Sequence, residues 1–244
     1  MTPTSIAGMS RSARHGWKRA VEHPVLAVAI VAAAGRLSVA LVLNVLNVWS
    51  LAPDSGTYLA VAEAAADGRL DSFWPGYGMS LFRSTRPFTE QVAMLFELFG
   101  PYRLAAQLVA VTYGVATAVL TTLAALRVVR RPLALSAGLL AAIMPSQVLW
   151  SSVALRESLV WALLACSAAI FVRLGPRADR ISLIAGLIGC STVFWLLESL
   201  RIQTAVLLLW CMTFVFVVSR GRRLLRVGCA TALFMVLPLT MGYL

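Results

Sequence analysis

The chain has 244 residues, 60% of them apolar and only 13% charged, with 21 basic against 10 acidic residues and a net charge of +11. A soluble domain carries about 25% charged and about 45–50% apolar residues. The composition therefore excludes a soluble enzyme, a disordered chain and a disulfide-rich secreted module, and predicts an all-α polytopic membrane protein.

In chain order, residues 1–24 form a basic N-terminal segment with Arg11, Arg14, Lys18 and Arg19. The run from Val25 to Ala34 resembles a signal peptide. Its apolar pattern resumes after Arg36 and continues to Leu51, too long for a cleaved leader core, so a retained first helix is expected. Residues 25–244 read as one membrane domain. A membrane helix needs about 20 largely apolar residues, and seven candidates follow: 25–51, 104–126, 133–151, 158–174, 181–199, 203–219 and 224–243. Arg36 lies inside the first, where a charge is costly and suggests function by default. Snorkelling or a buried polar partner is the structural reading. Pro145 and Pro238 are placed to kink or end helices.

Between the first two spans, residues 53–103 form the one sizeable extramembrane segment. Pro53-Asp54-Ser55-Gly56 is a turn signal, and Asp54 or Ser55 is able to cap a helix from Thr57 to Ala66 that Gly68 ends. A second helix is predicted from Phe88 to Phe99, stopped by Gly100-Pro101. Both read as amphipathic interfacial helices. The aromatic, glycine-rich stretch Phe73 to Gly78 lies between them, at the level where aromatic belts anchor membrane proteins.

With the N-terminus in the cytoplasm, fourteen basic residues collect on the inner side, in clusters around residues 11–19, 127–131, 173–180 and 220–226. Six fall outside: Arg69, Arg83, Arg86, Arg103, Arg156 and Arg201. Eight of the ten acids lie outside, leaving Glu22 and Asp179 within. The basic excess is thus a positive-inside signal, with anionic headgroups as its counterions. Nucleic-acid binding would gather basic residues on one folded face, so it is not expected. The four cysteines (Cys166, Cys190, Cys211, Cys229) lie in apolar runs without metal or redox spacing, and His15 and His23 have no third ligand nearby.

Several short motifs follow one another on this frame. Arg36-Leu37 in the first span leads to Pro53, Asp54, Tyr58 and Ala62, then Gly68 and Leu70, Trp74 to Tyr77, and Leu98 to Gly100. Met144 to Ser152 precedes Leu155 to Leu159, and Leu200-Arg201 opens a later helix. Over roughly residues 25–219, this order resembles the N-terminal seven-helix module of the GT-C glycosyltransferases. That class includes protein O-mannosyltransferases and the lipid A aminoarabinose transferase.

The resemblance implies transfer from a polyprenyl-phosphate-linked sugar at the outer leaflet, usually with inversion, to an acceptor that the sequence does not identify. It makes Asp54 the general base. The family often carries two adjacent acids there; this chain has Asp54-Ser55, which leaves a single-base mechanism and gives no support for a divalent cation. The chemistry also stands without the family. Sugar transfer needs a carboxylate at the attacking hydroxyl and cations on the departing phosphate, for which arginine's planar fork is suited. Arg156 and Arg201 rank first for that phosphate, because they end at the same leaflet as Asp54, and Arg83 and Arg86 come next. Glu157, Glu198, Tyr58, Trp74 and Tyr77 are supporting candidates. Beside these readings stand plainer ones: Asp54 as a helix cap alone, Arg156-Glu157 and Glu198/Arg201 as ion pairs at helix ends, Arg83 and Arg86 as solvated charges, and Trp74 and Tyr77 as anchors.

Two other functions remain open. One is a non-catalytic or truncated module that binds lipid-linked sugar or completes itself with a partner subunit. The other is a small lipid or solute transporter, although only Arg36 lies where transporters place their substrate sites. Arginine in place of lysine and the richness in alanine fit a bacterial protein, for which the plasma (inner) membrane is the expected location.

Overall fold

The computed structural model describes residues 17, 19–46, 52–74, 76–174 and 179–218, with side chains through Met212 in the last helix. The described residues are helical, without strands. The helices are α1 (Pro24–Val45), α2 (Pro53–Ala66), α3 (Tyr77–Phe99), α4 (Arg103–Val128), α5 (Arg131–Ile143), α6 (Pro145–Trp150), α7 (Glu157–Arg173), α8 (Arg180–Leu200) and α9 (Ile202–Val218). The end of the expected first span (residues 47–51) and the expected span at 224–243 lie outside the described residues, as do His15 and Cys229.

Among the described residues, three helices are long and apolar enough to cross a membrane: α1, α4 and α8. α1 shows why water is the wrong solvent for this chain. Val28, Ala32, Arg36 and Ala40 are buried at four-residue spacing on one stripe. The other faces are equally apolar, with Leu26, Ile30, Leu41 and Val42 exposed. A helix apolar all round needs a protein core or lipid on every side.

The predicted single span at 133–151 is two helices. Pro145 has no amide hydrogen and its ring crowds the preceding turn, so α5 stops at Ile143 and α6 begins at Pro145. The helix predicted from Phe88 starts eleven residues earlier, at Tyr77, and carries Pro87 within it. Its buried residues Thr85, Phe88, Thr89, Val92, Ala93 and Phe96 continue one stripe through the proline. α2 likewise begins at Pro53, four residues before the expected Thr57. It ends in a Schellman motif: Gly68 has φ 66°, its amide donates to Ala65 O at 3.1 Å, and Arg69 N donates to Ala64 O at 2.8 Å.

α4 is the hub, packed against α1, α3, α5 and α7, while α8 packs against α3, α7 and α9. The largest core cluster joins Ala62, Phe88, Phe96, Ala110, Leu163 and Phe194, from α2, α3, α4, α7 and α8. A second joins Val28 and Ala32 to Ala118, Leu135 and Ala142. Close approach there depends on glycine: a Cβ on Gly138 would strike Thr122 Oγ1 and come within 2.8 Å of Val28.

Arg36 is fully buried and does not snorkel. Its Nε donates to Ser151 Oγ at 2.7 Å, and its terminal nitrogens donate to Ala142 O at 2.9 Å, Ala141 O at 3.2 Å and Ala32 O at 3.3 Å. In an unbroken helix the Ala141 carbonyl would receive the amide of residue 145, which here is a proline. Arg36 thus supplies a donor where Pro145 removes one. Ser152 Oγ returns a bond to Arg36 O at 3.1 Å, locking the segment after α6 to the middle of α1. A buried charge is tolerated only when hydrogen-bonded in this way.

Candidate functional site

The start of α2, the segment after α6 and the α8–α9 turn meet at one end of the bundle. Pro53 occupies the first position of α2, where its missing amide costs nothing. Asp54 follows in the first turn, where the positive helix end favours a carboxylate. It is not the cap predicted by the sequence: Ala52 is the N-cap and no side chain makes a capping bond, because the helix starts earlier than the turn signal suggested. Asp54 is exposed. Arg156 is the N-cap of α7, with Glu157 the first residue of that helix, and Arg201 is the C-cap of α8.

Asp54, Glu157 and Arg201 line one cavity of about 310 Å³, together with Ala52, Pro53, Leu155, Trp150 and Trp161. A second cavity of about 680 Å³ shares Arg201 and adds Arg156, Glu198, Ser84, Ser199, Gln203 and Thr204. The first is walled by tryptophan and apolar groups; the second is rich in hydroxyl, amide and charged groups. Neither expected ion pair is made: among the described residues, Arg156 and Arg201 form no salt bridge with Glu157, Glu198 or Asp54.

Arg156 is held by main-chain oxygens, donating to Leu200 O at 3.1 Å and Ser84 O at 3.3 Å, and its guanidinium stands 5.9 Å from the Tyr58 ring centre. Its Nε is buried without a hydrogen-bond partner, and so is Glu157 Oε2. Buried polar atoms without partners are few in folded proteins, and here two occur on successive residues at the cavities. Burial raises the Tyr58 phenol above its ordinary pKa; Arg156 opposes the shift, Glu157 and Asp54 add to it, and Arg201 opposes it. Four of the site's charged groups are therefore sensed at one phenol, which stays neutral.

The other candidates stand apart from these cavities. Arg83 is exposed on α3. Arg86 pairs with Glu90 at 3.2 Å on the same helix, with both side chains largely in solvent. Trp74 and Tyr77 do not line either cavity; Trp74 stacks on Phe73 with centroids 5.1 Å apart, and Tyr77 lies 5.8 Å from Trp74. Trp74 has φ 43°, a left-handed conformation unusual for a bulky residue.

Trp150 and Trp161 were absent from the sequence-based candidates. Trp161 is four residues after Glu157, the spacing that puts two helical side chains on one face, which is the signal that marks it. Among the described residues, no group of three or more His, Cys, Asp or Glu side chains is placed to hold a metal ion. Cys166, Cys190 and Cys211 are free thiols. The arrangement offers an exposed carboxylate, a second carboxylate with an unpartnered oxygen, two guanidiniums free of ion pairs and an indole wall. Comparison with protein-family models, with curated proteins and with solved structures gives no match.

Proposed function

We propose that the protein is a membrane glycosyltransferase of the GT-C type, or the seven-helix module of one, that uses a polyprenyl-phosphate-linked sugar at the outer leaflet of the plasma membrane. In this reading the N-terminus is cytoplasmic, and α5–α6, α7, α9 and the segment at 224–243 complete the spans begun by α1, α4 and α8. The reading rests chiefly on one observation: Asp54, Glu157 and Arg201, which are far apart in sequence, line a single cavity without neutralising one another.

The Asp54 carboxylate takes the proton of an acceptor hydroxyl. The hydroxyl oxygen attacks the anomeric carbon, the bond from that carbon to the phosphate oxygen breaks, and the lipid phosphate leaves with the electron pair. Arg201 and Arg156 stabilise the charge that accumulates on it. Glu157 and Glu198 orient the cations or accept hydrogen bonds from sugar and acceptor hydroxyls. Tyr58, kept neutral, supports Arg156 through its ring face. The indoles of Trp150 and Trp161 suit the apolar face of a sugar ring or the first isoprene units.

The test is transfer from a polyprenyl-phosphate-linked sugar by the purified chain and by Asp54→Asn. Loss of transfer, with expression and membrane insertion unchanged, supports the reading; unchanged transfer in Asp54→Asn sinks the base assignment. A second reading, a module that binds lipid-linked sugar without turning it over, is favoured by the cations and apolar wall, which need no base. It predicts saturable binding of polyprenyl phosphate that Arg201→Gln weakens, with no transfer from any donor.

A further inference from the structure

At the end of the bundle remote from Asp54, a cleft of about 350 Å³ opens between α4, α7 and α8, lined by Arg127, Ile170, Arg173, Leu174, Ser182, Ala185 and Gly186. α4 runs 26 residues from Arg103 to Val128, roughly 39 Å at 1.5 Å per residue, so Arg127 lies across the bundle from the carboxylate site. Arg127 and Arg173 occupy the last turns of α4 and α7, where the helix dipoles favour cations. That accounts for the residue type but not for the neutralisation of two guanidiniums on one cleft. Among the described residues neither forms a salt bridge. Asp179, an acid at this end, does not line the cleft; its side chain caps α8 by accepting from Ser182 N at 3.4 Å.

α7 and α8 pack closely on glycines beside the cleft, next to an apolar surface. Leu174 packs so closely on Gly186 that a Cβ there would collide with it, and a Cβ on Gly189 would lie 3.0 Å from Ile170. α7 and α8 are therefore clamped below the two arginines. The adjoining row of α8, Ile181, Ile184 and Ile188, is 77%, 58% and 63% exposed. Two cations at the mouth, with bare isoleucines running along a helix able to cross a membrane, match a ligand that joins one phosphate to hydrocarbon chains.

We infer that this cleft binds an anionic phospholipid: Arg127 and Arg173 take the headgroup phosphodiester, and an acyl chain follows the exposed isoleucine row of α8. This goes beyond the glycosyl-transfer reading and does not depend on it, since no residue is shared between the two sites.

Native mass spectrometry of the full chain released from detergent tests it, with dioleoylphosphatidylglycerol, dioleoylphosphatidylcholine and glycerol phosphate as probes. Phosphatidylglycerol should be retained in preference to phosphatidylcholine. The double variant Arg127→Gln, Arg173→Gln should weaken that retention roughly thirty-fold, the loss of two basic contacts at an anionic surface. The equally charged control Arg19→Gln, Arg130→Gln, at two exposed sites outside the cleft, should stay within about threefold of wild type. Ala185→Phe, which fills the cleft with every charge retained, should lose the lipid too, and it decides the matter if the double variant does not fold. Equal loss in the control pair, equal retention of the two lipids, retention by Ala185→Phe, or displacement of the lipid by millimolar glycerol phosphate would each overturn the inference.

Discussion

The guanidinium of Arg156 lies 5.9 Å above the ring of Tyr58, and the same side chain ties Leu200 O of α8 to Ser84 O of α3. One cation therefore joins α2, α3, α7 and α8 at the mouth of the second cavity, with an unpartnered Nε to spare. Lysine cannot reproduce this, because its ammonium is a single point without the fork. Arg156→Lys is expected to lower transfer or donor binding at least tenfold, the size of one charged hydrogen bond at about 1.5–3 kcal/mol, and to lower thermal stability as the bonds to Leu200 O and Ser84 O weaken. Wild-type kinetics in Arg156→Lys would remove Arg156 from the phosphate site.

Tyr58 gives a pH signature. Its phenol pKa is raised in the folded protein, first by burial. A raised value means stability fully present below the unfolded-state pKa of about 10 and lost as pH rises through the folded value. Absorbance titration near 295 nm of wild type minus Tyr58→Phe should show the missing phenol ionising above pH 10, and the variant should melt with less dependence on pH there. A difference step at or below pH 10 would contradict the buried position of Tyr58.

Arg36 offers a test of the α5–α6 break. Replacing it with Met leaves the carbonyls of Ala141 and Ala142 without this donor, at about 1–3 kcal/mol for each buried group left unsatisfied. Destabilisation of about 2–6 kcal/mol is expected in denaturant titrations of the detergent-solubilised protein. Pro145→Ala introduces the amide that Ala141 lacks, so it should be less harmful, or helpful, in the Arg36→Met background. Strict additivity of the two substitutions would show that they do not share the Ala141 carbonyl.

Glycines separate tight from open positions. A Cβ on Gly114 would strike Arg36 Nε and lie 2.5 Å from Ser151 Oγ, whereas nothing lies within 4 Å of one on Gly35. Gly114→Ala should cost about 1–3 kcal/mol through overpacking. Gly35→Ala, on α1, should be neutral or stabilising by up to about 1 kcal/mol. Comparing the two melting temperatures checks the packing of α1 on α4 without reference to any activity.

What the sequence made legible followed from features that announce themselves in one dimension. α4 and α8 were read to within about two residues, because long apolar runs bounded by arginines leave little freedom. Asp54, Arg156 and Arg201 were grouped because each sits at a helix end, and helix ends on one side of a bundle meet. Arg83 and Arg86 rank next because they follow the aromatic stretch, but they lie on the body of α3, since that helix extends back to Tyr77 through a polar stretch and an internal proline. Pro145 marks a kink or stop in the sequence, as the structure shows, but 133–151 reads as one span because residues on both sides of the proline are apolar. Trp150 and Trp161 were hidden for a related reason: in an apolar helix, hydropathy does not say which face meets a cavity.

The buried guanidinium of α1 also sets a problem of order in biosynthesis. Arg36 is made early, but its partners Ala141, Ala142 and Ser151 lie 105 to 115 residues further along. At about 5–20 residues per second, roughly 6–20 seconds separate the synthesis of the charge from that of its ligands. A lone arginine at the centre of an inserting helix costs about 2.5–3.5 kcal/mol on insertion scales. The guanidinium of the first helix therefore lacks these partners until the segment that carries Ser151 has left the ribosome.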